Sequence, residues 1–410
     1  MEAFLEVDPA SDFSIDNLPY GVYSSATRGT TRRTACVALG DQVIDLAALQ
    51  RAGLFSGPLL SKSPDCFQQA DLNAFMALGQ PAWREARTTL QRLLSSGEGA
   101  LRDNAALRRD AILPMAEVEL HLPMSVGDYT DFYASKHHAH NCGVMFRDAA
   151  QALPRNWLHL PIGYHGRASS IVVSGTPVRR PRGQVLSGAT DQPVMQPCAA
   201  VDFELEMACV MGTGNELGSS LAVDDAGRSI FGLMLMNDWS ARDIQKWEML
   251  PLGPFNSKNW ATQLSPWIVT LDALEPFRCD APLQEPGVLP YLQEKDRHGY
   301  DIRLTASIVP DGGDETLMAA HHTFGGCNLR PGDVLGSGTA SGPGEGQRAC
   351  LLEKTWGGKE PVRLAGGGGE RSYLLDGDEV VFRGWAGGGD GRRRVGFGEC
   401  RGKLLPSPAI

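Results

Sequence analysis

Acidic residues recur at every second position in the stretch "DFELEM", which spans residues 202–207. Side chains alternate across a β-strand, so Asp202, Glu204 and Glu206 are predicted to share one face, with neighbours about 7 Å apart. Carboxylates crowded on one face repel one another unless water or a cation neutralises them. A solvent-exposed strand face is the simpler interpretation of this triplet, and a bound cation is the alternative.

Two other stretches supply acids in settings that indicate burial. Asp131 lies among aromatic residues in "GDYTDFY", shortly before a His cluster, and Asp238 ends the apolar run "IFGLMLMND". Removing an unpaired carboxylate from water is costly, so acids at the ends of buried strands are expected to have partners. A hard divalent ion would satisfy both acids together with Glu204 and Glu206. A ligand set of oxygens without Cys or His favours Ca²⁺ or Mg²⁺ over Zn²⁺.

The composition of the whole chain is that of an ordinary globular protein. Its 410 residues are 42% hydrophobic and 21% charged, enough for about two domains. The formal net charge of −10 and the lack of a long basic block argue against nucleic acid as a partner. No apolar run reaches the roughly 18 residues of a membrane span, and the acidic N-terminus lacks a signal-peptide pattern. The nine scattered cysteines predict unpaired thiols in a reducing cytosol.

The order of β-type and helical stretches predicts where the chain divides. Residues 1–60 carry short β-type runs such as "RTACVALG", whereas "QPAWREARTTLQRLLSSG" (80–97) has apolar residues at helical spacing. The stretch "ILPMAEVELHLP", with a Pro near each end, then returns the chain to an extended state. We therefore predict an N-terminal domain over 1–118, made of a small β unit followed by helices.

The remaining residues, 119–410, are predicted to form the larger domain. Many short alternating runs separated by Gly and Pro favour a sandwich, roll or barrel. The one clear helix signal in this part is "NDWSARDIQKWEML" (237–250), which opens on an Asn-Asp-x-Ser cap region. The Gly-rich stretches "AGGGGE" and "WAGGGDGRRR" are interpreted as hairpin tips or loose loops.

Long collinear stretches of the sequence resemble the fumarylacetoacetate hydrolase family. They include "NLPYGV" (17–22), "GDYTDFY" (127–133), "NWLHLPIGYHGRASSIVVSGTP" (156–177), "ELEMA" (204–208), "MNDWSARDIQKWE" (236–248), "NLRPGD" (328–333) and "RVGFGEC" (394–400). The resemblance implies a fold that is mainly β with some α: a small SH3-like N-terminal barrel with helices, then a larger β-roll catalytic domain that forms a homodimer. It also implies a cytoplasmic hydrolase.

The reaction that the resemblance implies is cleavage of a carbon–carbon bond of fumarylacetoacetate by water. The products are fumarate and acetoacetate, in the last step of tyrosine and phenylalanine catabolism. A neutral imidazole with a pKa of about 6.5 can take a proton from the water. Preorganised donors would stabilise the oxyanion that forms, and a Ca²⁺ or Mg²⁺ ion would stabilise the departing enolate.

Matched position by position, the resemblance implies roles for individual side chains. The metal ligands would be Asp131, Glu204, Glu206 and Asp238. Asp202 falls outside that set and is interpreted as a supporting or surface acid. His138 would act as the general base, with Glu353 as the carboxylate that orients its ring. The groups that bind the reacting carbonyl would be Arg242, Gln245 and Lys258. The substrate-binding positions would be Tyr133, Arg147, Tyr164, Arg242, Gln245 and Thr339.

From the residues alone, simpler roles stay open for several of these side chains. The segment "KHHAH" offers three histidines, and a single His is more often structural than catalytic. Arg242 and Gln245 are three positions apart on the predicted helix and share a face, which could equally be solvated. Asp238 would lie one turn before Arg242, so the cation and the donors would be side by side. Glu353 could be a surface acid.

The sequence departs from the family pattern in three places. Met249 stands where the family helix usually carries Tyr, so one hydroxyl contact to the substrate would be lost. The stretch 307–333 is short for the strand and helix expected there, and the Gly-rich stretches are long. Two alternatives therefore accompany the main hypothesis. One is another β-diketone or acylpyruvate hydrolase of the superfamily, and the other is an inactive metal-binding homologue.

Overall fold

The computed structural model describes residues 1–28, 30–147, 149–311, 313–318, 329–389 and 391–409. Its N-terminal part is an antiparallel sheet with the strand order β4-β3-β2-β1-β5. The strands are β1 (Tyr20–Ser25), β2 (Thr30–Leu39), β3 (Gln42–Asp45), β4 (Ile112–Pro114) and β5 (Glu119–His121). Because β5 pairs with β1, this sheet continues past residue 118, where the predicted boundary lies. The division into two domains at that point stays a prediction.

Helices fill the chain between the third and fourth strands. They are α1 (Leu46–Arg51), α2 (Asn73–Met76), α3 (Gln80–Leu94), α4 (Gly99–Arg102) and α5 (Ala105–Ala111). The helical spacing seen in the sequence is confirmed in α3, which buries one apolar face that includes Trp83, Ala86 and Leu90. Among the described residues, no helix combines the length and the apolar character that crossing a bilayer requires.

The rest of the described chain is rich in short strands. They are β6 (Tyr129–Phe132), β7 (Gly163–Gly166), β8 (Ile171–Val173), β9 (Val178–Arg179), β10 (Arg182–Leu186), β11 (Pro193–Pro197), β12 (Val201–Asp202), β13 (Leu205–Met211), β14 (Ile230–Asp238), β15 (Ser240–Ala241), β16 (Thr262–Leu264), β17 (Val269–Thr270), β18 (Arg278–Asp280), β19 (His298–Tyr300), β20 (Arg303–Val309), β21 (Thr316–Leu317), β22 (Val334–Gly336), β23 (Val362–Arg363), β24 (Glu370–Arg371), β25 (Glu379–Ala386) and β26 (Val395–Leu405). The helices are α6 (Lys136–Phe146), α7 (Val223–Ala226), α8 (Arg242–Glu248), α9 (Leu271–Leu274) and α10 (Leu351–Lys354).

Two sheets contain most of these strands, and the others pair in two-stranded sheets. The larger one has the order β7-β6-β22-β13-β14-β16-β8, with β17 also paired to β14, and the smaller one has the order β21-β20-β25-β26-β9. A hydrophobic core that includes Phe203, Leu235, Trp239, Phe382 and Phe397 lies between them. Burying these large side chains is the main favourable term that holds the sheets together.

The N-terminal part packs against the opposite side of β14. The rings of Tyr20, Phe75 and Trp83 lie 5.3, 5.8 and 5.1 Å from the ring of Phe231, between centroids. Strand β14 is therefore covered on both faces, which explains why its sequence is a continuous apolar run instead of an alternating one. This coverage keeps water away from the strand that ends at Asp238.

Two local predictions differ from the structure, and one helix was missed. Residues Asn237 and Asp238 do not cap a helix; they continue β14 and pair with Gln263 and Thr262, and the helix begins only at Arg242. The strand pairing outweighs the cap signal, so Asp238 precedes α8 without being part of it. The stretch "DFELEM" is not one strand, because β12 pairs with β15 whereas β13 pairs with β14. Helix α6 was not predicted.

The departures from the family pattern have mixed outcomes. Both Gly-rich stretches connect paired strands, β23 to β24 and β25 to β26, so their interpretation as hairpin tips is confirmed. Met249 is exposed at the end of α8. Much of the short stretch 307–333 lies outside the described residues, which resume at 329.

Candidate metal centre and catalytic pair

Four buried acids converge where neighbouring strands of the larger sheet lie side by side. Asp131 is on β6, Glu206 is on β13, Asp238 ends β14, and Glu204 immediately precedes β13. One carboxylate oxygen from each lies within 4.8 Å of those of the other three. All four residues are at most 5% exposed. The four residues that sequence matching assigned to a metal site are therefore together in space.

A tight turn brings a backbone amide to the same place. The Gly338 N–H donates to Asp131 Oδ1 at 3.1 Å and to Glu206 Oε2 at 2.9 Å. Gly338 has a φ of +74°, and a Cβ there would lie 2.3 Å from the carbonyl oxygen of Phe132. Only glycine fits this close approach, so the residue type is explained by the backbone.

Two protein cations also contact the cluster. The Lys258 ammonium donates to Glu204 Oε2 and, at 2.6 Å, to Asp238 Oδ2, and Arg242 Nη1 lies 2.7 Å from Glu204 Oε1. Burial opposes the charged form of Glu204, but Lys258 and Arg242 outweigh it and lower the pKa of that carboxyl. The acids of "DFELEM" therefore do have cationic neighbours, supplied by residues distant in sequence.

The protein's own cations leave part of the cluster unsatisfied. Glu206 Oε1 and Asp238 Oδ1 are buried and accept no hydrogen bond from the described residues. Burial, followed by repulsion from neighbouring acids, raises the pKa of Asp131 and of Glu206 well above the usual range. Buried carboxylate oxygens normally have partners, and two that lack them within a cluster of four acids fit the donor set of a hard divalent cation. The residues present thus fit Ca²⁺ or Mg²⁺.

Tyr164 on β7 lies against this cluster. Its hydroxyl donates to Asp238 Oδ2 at 2.6 Å, and its backbone is paired with that of Asp131. Burial and the nearby charge of Asp238 raise the pKa of the phenol well above its usual range, so Tyr164 stays a neutral hydrogen-bond donor. The structure therefore brings this predicted substrate-binding residue to the edge of the cluster.

A buried His–Glu pair lies next to the acids. His138 Nδ1 is 2.7 Å from Glu353 Oε2, with the exposed fractions of the two residues at 4% and 0%. Glu353 also accepts hydrogen bonds from Ser341 Oγ at 2.5 Å and from Asn141 Nδ2 at 2.7 Å. These contacts fix the carboxylate and direct Nδ1 towards it, so Nε2 is left with a long contact to Cys142 Sγ, at 3.7 Å.

Local sequence explains how His138 is held. Ser135 precedes α6 and its hydroxyl accepts a hydrogen bond from the His138 N–H at 3.1 Å, an N-cap that fixes the first turn. The neighbouring histidines His137 and His140 face solvent. Of the three histidines in "KHHAH", only His138 therefore points into the protein.

The charges of the pair stabilise each other. Burial alone would raise the pKa of Glu353, but His138 and the hydrogen bonds from Ser341 and Asn141 lower it to about 2. Burial alone would lower the pKa of His138, but Cys142 and Glu353 outweigh it and raise that pKa well above its usual range. Glu353 is therefore an anion at every working pH, and the ring readily holds a proton.

Asp202 has a structural role that sequence matching did not provide. It is fully buried, so its interpretation as a surface acid is wrong, and the supporting role is what the geometry describes. Its carboxylate accepts from the N–H groups of Leu351 and Leu352 at 2.7 and 2.8 Å and from Arg242 Nε at 2.9 Å. Asp202 thus ties the start of α10, which carries Glu353, to the start of α8.

We expect Asp202→Asn to lower the free energy of unfolding by about 3 kcal/mol, because it breaks one side of a buried, hydrogen-bonded ion pair. Denaturant unfolding followed by circular dichroism measures this change. A matched control is Asp272→Asn, which breaks the exposed pair between Asp272 and Arg84 and should cost no more than about 1 kcal/mol. Equal losses in the two variants would contradict the role given to Asp202.

The other predicted substrate-binding residues are dispersed around these groups. The Tyr133 ring lies edge-on to His138, with 5.3 Å between centroids, and Gln245 Oε1 accepts from Arg242 Nη1 at 3.3 Å. Thr339 is buried next to the Gly338 turn. Arg147 is exposed at the end of α6 and donates to the Ala152 carbonyl, so the structure does not bring it into the cluster.

Sequence reasoning missed several residues around the base. Asn141 and Cys142 follow His138 by three and four positions, so recognising Ser135 as the N-cap of a helix would have placed them on the face of His138. Ser341 precedes Glu353 by 12 residues, and no local signal indicates their contact. Cys350 precedes Glu353 by three residues, so recognising the short helix α10 would have placed its thiol beside that carboxylate.

Buried carboxylates that could hold a metal ion, beside a His–Glu pair that could activate water, fit the class of metal-dependent hydrolases. Two family models match this chain: "Fumarylacetoacetase N-terminal" over residues 16–123 and "Fumarylacetoacetate (FAA) hydrolase C-terminal" over residues 128–404. The chain belongs to the fumarylacetoacetate hydrolase family.

Relatives resemble the chain over its full length. It is 53% identical to fumarylacetoacetase from Arabidopsis thaliana, with 100% of this chain and 99% of that protein covered, and 50% identical to the human enzyme, with 99% of each covered. The Arabidopsis alignment runs over 424 positions against 410 residues here, so this chain lacks residues that its relative has. A fumarylacetoacetate hydrolase structure from Exiguobacterium antarcticum gives a TM-score of 0.49 at 16% identity, covering 95% of this chain and 99% of that one.

Proposed function

We propose that this chain is a hydrolase that cleaves fumarylacetoacetate into fumarate and acetoacetate. The observation that carries the proposal is the direct connection between the His–Glu pair and the carboxylate cluster. Glu204 forms an isolated backbone bridge with Cys350, three residues before Glu353, so the base and the acids are held in one frame. Full-length identity to named fumarylacetoacetases supports the choice of substrate.

His138 is the general base that activates the water. Its Nε2 accepts a proton from a water molecule while Glu353 holds the Nδ1–H and stabilises the imidazolium that results. The hydroxide oxygen bonds to the carbonyl carbon next to the alkene of the substrate. When the carbon–carbon bond breaks, its electron pair leaves on the acetoacetate carbon, which then takes the proton, and the acyl part departs as fumarate.

The carbonyl oxygen acquires negative charge in this step and needs buried donors. Arg242 Nη2 lies 2.9 Å from Asp202 Oδ2 but in poor hydrogen-bond alignment, so that N–H is available to the substrate. Lys258 has three donors, of which two are used by Glu204 and Asp238, and Gln245 lies beside Arg242. Each such donor is worth about 3 kcal/mol of transition-state stabilisation.

The divalent cation would be Ca²⁺ or Mg²⁺, held by Asp131, Glu204, Glu206 and Asp238. When bound, it supplies a Lewis acid that orients the diketone oxygens and stabilises negative charge on the leaving enolate. The chain's own contribution there is a dry, rigid set of oxygens with Tyr164 fixed at its edge by Asp238. A homodimer in the cytoplasm completes the proposal, as expected for the family.

One assay tests the proposed function. Purified protein is mixed with fumarylacetoacetate, and loss of the substrate's absorbance is followed with and without a metal chelator; Ca²⁺ and Mg²⁺ are then restored separately. Turnover that the chelator removes and one of the ions restores is the expected result. Turnover of an acylpyruvate in place of fumarylacetoacetate would favour the superfamily alternative. A folded, cation-loaded protein with neither activity would establish the inactive homologue.

We expect kcat to rise with pH, because only the neutral ring of His138 accepts the proton, and to level off above its raised pKa. In Glu353→Gln the anion that stabilises the imidazolium is gone, so the pKa of the ring falls and the rise moves to lower pH. The plateau should also fall, by about 100-fold, since the amide does not stabilise the imidazolium. Profiles of kcat against pH check both effects.

The exposed Glu360 provides the matched control for that profile. The variant Glu360→Gln removes the same charge from the end of the neighbouring turn and should leave the profile unchanged. If the pH midpoint of the kcat profile were the same in Glu353→Gln as in the wild type, His138 and Glu353 would not titrate as a pair during catalysis.

A further inference from the structure

Two cysteines surround the catalytic pair and have no part in the proposed reaction. Cys350 Sγ lies 3.3 Å from Glu353 Oε2, and Cys142 Sγ lies 3.8 and 3.7 Å from Nδ1 and Nε2 of His138. One ligand atom each from His138, Cys350 and Glu353 lie within 4.8 Å of one another. All three are buried, whereas Cys142 keeps part of its surface exposed. A nitrogen, an oxygen and one sulfur therefore converge at one point, and the second sulfur, that of Cys142, lies against the imidazole of His138.

The chemistry of this cluster differs from that of the four-acid site. Hard cations such as Mg²⁺ and Ca²⁺ select oxygen ligands, whereas thiolate and imidazole together select Zn²⁺ and similar soft ions. Zinc bonds of 2.0–2.3 Å in a tetrahedron require ligand atoms roughly 3.5 Å apart. Three separations lie near this value: 2.7 Å between His138 Nδ1 and Glu353 Oε2, 3.3 Å between Glu353 Oε2 and Cys350 Sγ, and 3.8 Å between Cys142 Sγ and His138 Nδ1. Small side-chain rotations would open the site.

We propose that His138, Cys350 and Glu353, with Cys142 as the fourth ligand, form a second metal site that binds Zn²⁺ and switches off the catalytic base. The ion replaces the two thiol protons and the proton on His138 Nδ1. The thiol protons are released to solvent, the Nδ1 proton leaves a charged ring or moves to Nε2 of a neutral one, and no oxidation or reduction occurs. It takes the place of the hydrogen bond between His138 Nδ1 and Glu353, so the ring no longer has its orienting carboxylate. A positive charge next to the imidazole also opposes the imidazolium that water activation requires.

Access to the site is from the side of α6. Cys142 follows His138 by one helical turn, and it is the member of the cluster that solvent reaches. An ion would bind first to its sulfur and then to the buried ligands behind it. None of the four acids of the other site, Asp131, Glu204, Glu206 and Asp238, is a ligand here, so Mg²⁺ and Zn²⁺ can occupy the protein together.

Cobalt provides a direct test of the ligands. Co²⁺ is added to the full-length protein whose four-acid site is saturated with excess Mg²⁺, and the near-ultraviolet spectrum is recorded. We expect one equivalent of Co²⁺ to give a thiolate-to-cobalt charge-transfer band, and one equivalent of Zn²⁺ to remove it. This readout does not depend on turnover, so its failure is distinct from failure of the proposed reaction.

Variants then identify the sulfurs. Cys350→Ser and Cys350→Ala should lose most of the band, Cys142→Ser should weaken the binding of Co²⁺ at least tenfold, and the control Cys279→Ser on β18 should match the wild type. In the activity assay, Zn²⁺ should inhibit the wild type reversibly, and Cys350→Ser should need at least tenfold more Zn²⁺. Absence of the band in the wild type, or an unchanged band in folded Cys350 variants, would overturn the proposal.

Discussion

Replacing His138 by alanine is expected to lower kcat for fumarylacetoacetate by about 1,000-fold, with little change in KM. General-base catalysis by a positioned imidazole contributes on the order of 10²–10⁴ to a rate. His138 is the residue whose ring is buried against an anionic partner, and its Nε2 is left for the water. Since Glu353 itself is an acceptor fixed by Ser341 and Asn141, it does not replace the missing ring. Steady-state kinetics with saturating divalent cation measure the loss.

The same helix provides matched controls for this experiment. His137→Ala and His140→Ala remove exposed rings from α6 one or two positions away and should retain the wild-type kcat. Circular dichroism and cation binding establish that each variant is folded. If His138→Ala kept its activity, or if the exposed variants lost as much as it did, the assignment of the base would be wrong.

The fold was predictable wherever hydrophobic periodicity and tertiary structure agree. Helix α3 follows from the helical spacing of its apolar residues, and β14 from an apolar run that is buried on both faces. The helix predicted over 237–250 began too early because the pairing of Asn237 and Asp238 with β16 is a long-range interaction. Local capping signals do not report such pairing, so they misplace the ends of elements.

The site was predictable in its residue types but not in its connections. Motif matching named Arg242 and Lys258 as groups for the substrate, yet their strongest contacts in the structure are with Glu204, Asp202 and Asp238. Lys258 is 54 residues from Glu204 and 20 residues from Asp238 in sequence, so no spacing rule reveals these contacts. Strand alternation also grouped Asp202 with Glu204. The strand is interrupted between β12 and β13, however, and the Asp202 side chain contacts the start of α10.

Glu206→Gln is expected to be more stable than the wild type without the divalent cation and less stable than the wild type with it. With a chelator present, the variant should unfold at a higher denaturant concentration than the wild type. Glu206 lies fully buried near three other acids, and its Oε1 has no hydrogen-bond donor among the described residues. Removing one of several crowded buried charges is stabilising by roughly 1 kcal/mol or more.

With the cation present, the wild type should be the more stable protein. A free ion at 100 times its dissociation constant stabilises the folded state by about 2.7 kcal/mol. Loss of a ligand charge weakens binding by at least about 100-fold, so the same ion concentration would stabilise the variant by no more than about 0.4 kcal/mol. Calorimetric titration with Mg²⁺ and Ca²⁺ measures the affinities, and denaturant unfolding measures the stabilities.

Asp45→Asn is the matched control, since Asp45 is a buried acid that caps α1 far from the cluster. An Asn also caps a helix, so this variant should gain as much stability from the cation as the wild type does. If Glu206→Gln were less stable than the wild type in chelator, repulsion among the four acids would not be destabilising the wild type. If it gained full stability from the ion, Glu206 would not be a ligand. The reversal is therefore expected only if Glu206 both adds to the charge repulsion in the cluster and binds the divalent ion.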